Sequence, residues 1–262
     1  MATATMAYGE RRFGASYSAR ILTGLAVLGL LVGLWVSQAD PRLAAHPTLM
    51  WVSVGIVGGL AAFCILFGKN QLIVNDAGIQ RESAFGQQEI AWSEIIETRY
   101  RVTPINVYGH FGLVGYILAM SSKSGAAQLS LELISADGKK LKVTSMFRNA
   151  GDAIGIILAR ILPPMVQSVK ARLQRGETVQ FGGIGLSSTA VMWKNQTIPV
   201  TQITKAELLR TNLVVKRDGK WLAAISVRSD KVPNVLVFLE VIESLAPQVK
   251  STGIDPLARV RM

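Results

Sequence analysis

The sequence predicts a membrane-inserted α-helical hairpin followed by an α+β body, in which a unit of antiparallel strands closed by a C-terminal helix occurs twice. Three observations lead there: two charge-free apolar runs near the N-terminus, two Asp-Gly hairpins in matching contexts, and an amphipathic helical stripe after each hairpin. Half of the 262 residues are hydrophobic and only 17% are charged, a balance typical of a small membrane protein with a soluble part.

The apolar excess is local. ILTGLAVLGLLVGLWVSQA (21–39) and LMWVSVGIVGGLAAFCILF (49–67) each run 19 residues without a charge, enough to cross a hydrocarbon layer of about 30 Å as helices. A signal peptide would need a shorter apolar region and a small-residue cleavage site; Ser37-Gln38-Ala39-Asp40 offers a poor one, and a second long span follows at once. Arg11, Arg12 and Arg20 precede the first span and Lys69 follows the second, whereas the connecting loop holds only Arg42 against Asp40. Excess cations mark the cytoplasmic side, so both termini are expected there. The lone Cys64 lies within the second span, which excludes an intrachain disulfide. Gly29 and Gly33 on the first span, and Gly55 and Gly59 on the second, are small residues at helical spacing. They suit close helix packing, either within the hairpin or between chains.

The body is read from its repeat. LELISADGKKLKV (131–143) and LVVKRDGKWLAAI (213–225) place Asp137-Gly138-Lys139 on Asp218-Gly219-Lys220, with Leu141 on Leu222. Asp-Gly between alternating apolar residues marks a tight hairpin, because both central positions need positive φ. After each hairpin comes an apolar stripe at helical period: Ile154, Ile157, Leu158 and Ile161 in DAIGIILARIL (152–162), and Val235, Phe238, Leu239 and Ile242 in NVLVFLEVIESL (234–245). Asp152 and Asn234 stand where N-caps are expected. Upstream, IAWSEI (90–95) matches IPVTQI (198–203), and LIVNDAGIQ (72–80) echoes VQFGGIGLS (179–187). The competing reading is one large α+β domain with two similar hairpins.

The expected organisation is a cytoplasmic N-terminal segment (1–20), the helical hairpin (21–67), a first β module (70–162), a linker helix (163–176), a second, reduced module (177–246) and a tail (247–262). Pro163-Pro164 is expected to end the first module's helix. The linker helix then ends at Gly176, with Val166, Val169 and Leu173 on one face. It serves either as a packed connector or as a basic helix on the membrane surface. The first module carries an insertion relative to the second, VTPINVYGHFGLVGYILAMSSKSGAAQ. It either supplies middle strands or presents Tyr108, Phe111 and Tyr116 to a bilayer or a protein partner.

Antiparallel strands followed by one amphipathic helix follow the order of a PH domain. On LIVNDAGIQ, IAWSEI with Trp92, LELISADGKKLKV and DAIGIILARIL, the chain resembles bacterial PH-like membrane proteins, in which a transmembrane hairpin precedes one or more such domains. The resemblance implies two PH-like modules at the cytoplasmic face of a bacterial inner membrane. The first-strand turns, Asn75-Asp76-Ala77-Gly78 and Gly182-Gly183-Ile184-Gly185, lack the cations with which phosphoinositide-binding PH domains hold their ligand.

Chemistry is sparse. His46 and His110 have no second His, Cys or spaced carboxylate set near them in sequence, and no G-x-S-x-G, Walker A or H-E-x-x-H occurs. No catalytic residue, metal or cofactor is therefore expected. The net charge is +11, and Lys139, Lys140, Lys142, Lys216, Arg217 and Lys220 flank the two Asp-Gly hairpins as a basic rim suited to anionic lipid. No dense basic stripe or recognition helix points to nucleic acid. The expected function is a non-catalytic scaffold or accessory subunit of a larger inner-membrane complex. Its expected partners are the lipid bilayer and other membrane subunits or further copies of itself. A lipid-headgroup sensor is the alternative, and an enzyme with an unrecognised site the third reading.

Overall fold

Strand β1 (Arg11–Phe13) pairs antiparallel with β2 (Gln71–Val74), although 14–70 separate them in sequence. The computed structural model describes residues 9–15, 69–104, 127–145, 147–209, 211–219 and 222–249, together with helical positions 24, 27–29, 31–33, 52, 55, 58, 59, 62 and 66. Among these, the fold is antiparallel sheet with two further helices, an α+β arrangement.

Four sheets follow one another. β1 and β2 join β3 (Gly78–Ser83) and β4 (Gly86–Ala91) in the order β1-β2-β3-β4. β5 (Ile95–Pro104), β6 (Ala127–Ser135) and β7 (Lys140–Thr144) form a three-stranded sheet, followed by helix α1 (Ala150–Gln174). β8 (Val179–Phe181), β9 (Ile184–Leu186), β10 (Ala190–Trp193) and β11 (Gln196–Pro199) then form a second four-stranded sheet. β12 (Ile203–Leu209), β13 (Asn212–Arg217) and β14 (Ile225–Arg228) form a second three-stranded one, followed by α2 (Val235–Leu245). By contact the chain divides into two compact units, Met1–Glu89 with Met146–Asn149, and Ile90–Ser145 with Ala150–Met262.

The two halves share their registers. Val74 opposes Ile79 and Leu72 opposes Arg81; at a constant offset of 186 − 74 = 112, Leu186 opposes Val191 and Ile184 opposes Trp193. The turns agree as well. Asn75 Oδ1 accepts from the amides of Ala77 and Gly78, as Ser187 Oγ does from those of Thr189 and Ala190. This places β2 on β9, one strand further along than the sequence match of LIVNDAGIQ with VQFGGIGLS suggested. Short 3-10 turns, Trp92–Glu94 and Val200–Gln202, precede β5 and β12, and each of those ladders breaks register after its first residue, at Ile95 and Ile203. Residues 177–246, expected as a reduced sheet on account of their length, hold seven strands in the same four-plus-three order.

The predicted helical stripes are buried: Ile154, Ile157, Leu158 and Ile161 on α1, and Val235, Phe238, Leu239 and Ile242 on α2. Phe238 meets Phe181 edge to face, with ring centroids 5.3 Å apart. Three expectations change. Helix α1 runs unbroken through Pro163 and Pro164, so the first helix and the linker are one element. Both prolines are exposed, away from the core, while Ile161, Leu162, Val166 and Leu173 continue the buried face. Asp152 lies in the first turn of α1, not at its cap; Asn149, at φ 55°, immediately precedes the helix. Finally, Leu141 corresponds to Ile225, since Leu133 opposes Leu141 as Val215 opposes Ile225, and Leu222 is left 77% exposed. The second hairpin is two residues longer, which sequence matching absorbed as a shift.

α1 is also apolar and long enough to cross a membrane by composition. Its stripe is instead covered by β6, β7, β8 and α2, so here it is a core helix.

Candidate functional site

The site grows out of the β1–β2 pair. Phe13 opposes Leu72, and in the second half Phe181 opposes Ile184 at the corresponding place. There, two residues, Gly182 and Gly183, close the hairpin; Gly182 takes φ +64°, as such a tight turn requires. In the first half, 14–71 occupy the same place. The chain thus leaves the β1–β2 ladder at Phe13 and rejoins it at Leu72, with both ends of the long excursion held side by side. The isolated bridge between Ala15 and Phe147, and the amide of Arg148 donating to Gly14 O at 2.8 Å, extend this clasp.

Within that excursion, the described positions from 24 to 66 are helical and exposed or half-exposed. Leu28 and Leu31 are each 57% exposed, and Val32 and Val52 are similarly bare. Gly29, Gly33, Gly55 and Gly59 are helical and exposed, and a Cβ built on any of them meets no described atom within 4 Å.

The cations of the predicted rim do not act alike. Lys139 is spent on its own turn: its ammonium lies 2.7 Å from Asp137. That contact, helped by the Ser135 hydroxyl and the Lys139 amide, pulls the Asp137 carboxyl from 3.8 to about 2 and raises the lysine in return. Lys140 and Lys142 are exposed, with Lys142 directly opposite Glu132. Lys216 and Arg217 lie on β13, at the positions that Ile134 and Ser135 fill in the first half, so the two basic groups are not copies of one another. Lys220, Tyr108, Phe111, Tyr116, His46, His110 and Cys64 lie outside the described residues.

Sequence reading missed a polar seam along β5. Arg99 Nε lies 2.6 Å from Glu97, and the residue sits opposite Glu132; the Glu97 hydrogen bond raises the guanidinium's pKa against partial burial. Further along, Arg101 is 3.9 Å from Asp230, which Arg228 holds through two hydrogen bonds of 3.0 and 2.7 Å. Burial pushes the Asp230 carboxyl up, but Arg228 and Arg101 together hold it below its ordinary value. On the buried side of β5, Asn234 Oδ1 accepts from both the amide and the hydroxyl of Thr98. Arg101 with Asp230 and Thr98 with Asn234 join first-half strand to second-half turn and helix. The period-2 alternation of β5 marks Glu97, Arg99 and Arg101 as one face, but nothing local marks their partners. Among the described residues, no group of three or more His, Cys, Asp or Glu is placed to hold a metal ion.

No curated protein was found to match the chain. A family profile does match it, over residues 1–251, which takes in β1, the apolar excursion and both four-plus-three halves. The chain therefore belongs to the Family of unknown function (DUF6585).

Proposed function

We propose that this protein is a membrane-anchored, non-catalytic scaffold or accessory subunit of a larger inner-membrane complex, holding two PH-like modules at the cytoplasmic face through the hairpin 21–67. The observation that carries the reading is the pairing of Phe13 with Leu72. Strands on either side of an apolar excursion can share one sheet only if the excursion returns to the side from which it left. Two spans satisfy that condition and one does not. Runs 21–39 and 49–67 have the length and the lack of charge for two crossings, and the flanking Arg11, Arg12, Arg20 and Lys69 favour a cytoplasmic body.

Four strands, three strands and a closing helix, repeated twice, support the PH-like reading of both modules. Protein contact is favoured over headgroup sensing by two features. The turn at Asn75 closes on its own side chain and carries no cation, and the turn at Gly182 packs against Lys231 O and Pro233. Meanwhile Ile96, Leu209 and Leu222 stand bare on the second compact unit, at 55%, 54% and 77% exposure. Extraction of the intact protein in mild detergent, followed by mass measurement, is expected to return it in fixed stoichiometry with other membrane subunits. Recovery as a lone monomer overturns the scaffold reading, and retention on one anionic headgroup alone favours the sensor.

A further inference from the structure

β2 starts where the chain returns from 14–70 and runs away from that end, so β3 returns toward it, and the turn between β3 and β4 lies at the end of the sheet where the chain departs. Gln71 opposes Glu82. Ala84 and Phe85 therefore project about two residues, roughly 7 Å, past that pair, to the level of Lys69. Phe85 is 80% exposed at the tip of this turn, where polar residues are the norm. Exposed Lys69 stands at the same end, and so does exposed Arg148, whose amide bonds Gly14.

The second half provides an internal comparison. Its corresponding turn is Lys194-Asn195, which is polar, and Lys194 Nζ lies over the Trp193 ring at 4.4 Å. The offset between halves falls from 112 on β3 to 198 − 90 = 108 at the end of β4, so the first-half hairpin is 112 − 108 = 4 residues longer. The half from which the apolar excursion departs thus has the longer tip, and that tip ends in a bare aromatic ring.

We infer that the Ala84-Phe85 turn, with Lys69 and Arg148 at the same end of the sheet, is an interfacial anchor that seats the β1–β4 sheet on an anionic phospholipid surface. Phe85 enters the headgroup layer, and the two cations face lipid phosphates. The inference rests on the membrane reading of the hairpin. An aromatic ring at headgroup depth loses its unfavourable contact with water, and cations near an anionic leaflet gain attraction. Together with the two spans, this third point of attachment would fix the sheet's tilt.

The test uses the full-length chain with Cys64→Ala, reconstituted in vesicles of phosphatidylcholine and phosphatidylglycerol. Single nitroxide labels are placed at Ala84→Cys, Ala77→Cys and Leu28→Cys, and immersion is read from collision with oxygen against a water-soluble nickel chelate. The oxygen-to-nickel ratio is expected to be several-fold higher at 84 than at 77, and to fall to the value at 77 when Phe85→Asp is added. A water-like label at 84 while 28 is immersed overturns the interfacial anchor and leaves the hairpin standing. Equal immersion at 84 and 77 overturns it too, since the sheet would then lie flat. A water-like label at 28 overturns the membrane reading itself, and this inference with it.

Discussion

Asn234 and Thr98 hold each other at both ends of a two-way contact: the Asn234 amide donates to Thr98 O at 2.8 Å, and Asn234 Oδ1 accepts from the Thr98 amide at 2.7 Å. Asn234 precedes α2 at φ 53° and ψ 37°, a left-handed conformation that Asn tolerates better than most residues. The residue stands at the helix N-cap, yet its side chain makes no cap bond. It bonds the edge of β5 instead, where Thr98 is 1% exposed and, among the described residues, no strand lies beyond it. One side chain thereby ties the second half's helix to the first half's longest strand.

Removing that side chain while keeping its backbone freedom isolates the hydrogen bonds. Asn234→Gly is expected to lower unfolding free energy by about 1 to 3 kcal/mol, because the buried Thr98 amide and hydroxyl lose their acceptor. Asn234→Asp retains an acceptor and is expected to cost clearly less. Denaturant titration of the detergent-solubilised protein measures both. Equal losses would show that the acceptor is not what matters.

The match between the Phe13–Leu72 and Phe181–Ile184 registers predicts a chain shortening. Replacing 14–71 with Gly-Gly, in imitation of Gly182-Gly183, is expected to give a protein that stays in solution without detergent and keeps its β circular dichroism. The Ala15–Phe147 bridge and the Gly14–Arg148 hydrogen bond are lost with the segment, so a modest fall in melting temperature is also expected. Loss of β structure would show that the excursion is not an insertion into an otherwise complete sheet.

Gly182 has two reasons to be glycine, and Gly219 has one. Both have positive φ, at 64° and 68°, but a Cβ on Gly182 would lie 2.9 Å from Lys231 O and 3.0 Å from Pro233 Cδ, whereas one on Gly219 meets no described atom within 4 Å. Gly219→Ala is expected to cost about 1 to 2 kcal/mol from backbone conformation alone. Gly182→Ala is expected to cost about 1 to 3 kcal/mol more from overpacking. Comparison of the two unfolding free energies checks the difference.

Asp137 gives a pH signature. Its folded carboxyl titrates near 2, below the ordinary 3.8, because Lys139 and Ser135 favour the charged form. A depressed folded pKa contributes stability that is complete above the unfolded value and is lost as pH falls through the folded one. The contribution is therefore expected to fade between about pH 4 and pH 2. Carboxyl carbon NMR is expected to show a midpoint near 2 that moves up toward 3.8 in Lys139→Ala. An unmoved midpoint would assign the shift to other groups.

Much of this was legible in the residues. The stripes of α1 and α2 were named correctly because burial on a helix repeats every three to four residues. That same periodicity hid the alignment between halves. Asn149 and Asn234 precede their helices at an offset of 85, while the sequence match used 81, and a slip of one helical turn leaves the buried face almost unchanged. The continuous α1 departs from the expected break at Pro163, since a rule about local backbone cannot know that both prolines are exposed and that Val166 and Leu173 are buried beyond them. In the candidate site, Lys139 was visible as a cation, but its pairing with Asp137 depends on the shape of the turn. Arg101 and Asp230, which help form the joint, were not singled out.

By itself the sequence determined the apolar excursion, the Asp-Gly hairpins, the helical faces and the doubling of the body, all of which arise from side chains close together in the chain. Tertiary structure alone decided that Phe13 pairs with Leu72, that β1 is the fourth strand of the first sheet, and that Asn234 closes the edge of β5. Those contacts join residues far apart in sequence. They form only where sheet edges must satisfy their backbone hydrogen bonds and apolar faces must be covered together, and no local window of residues records which distant partner does so.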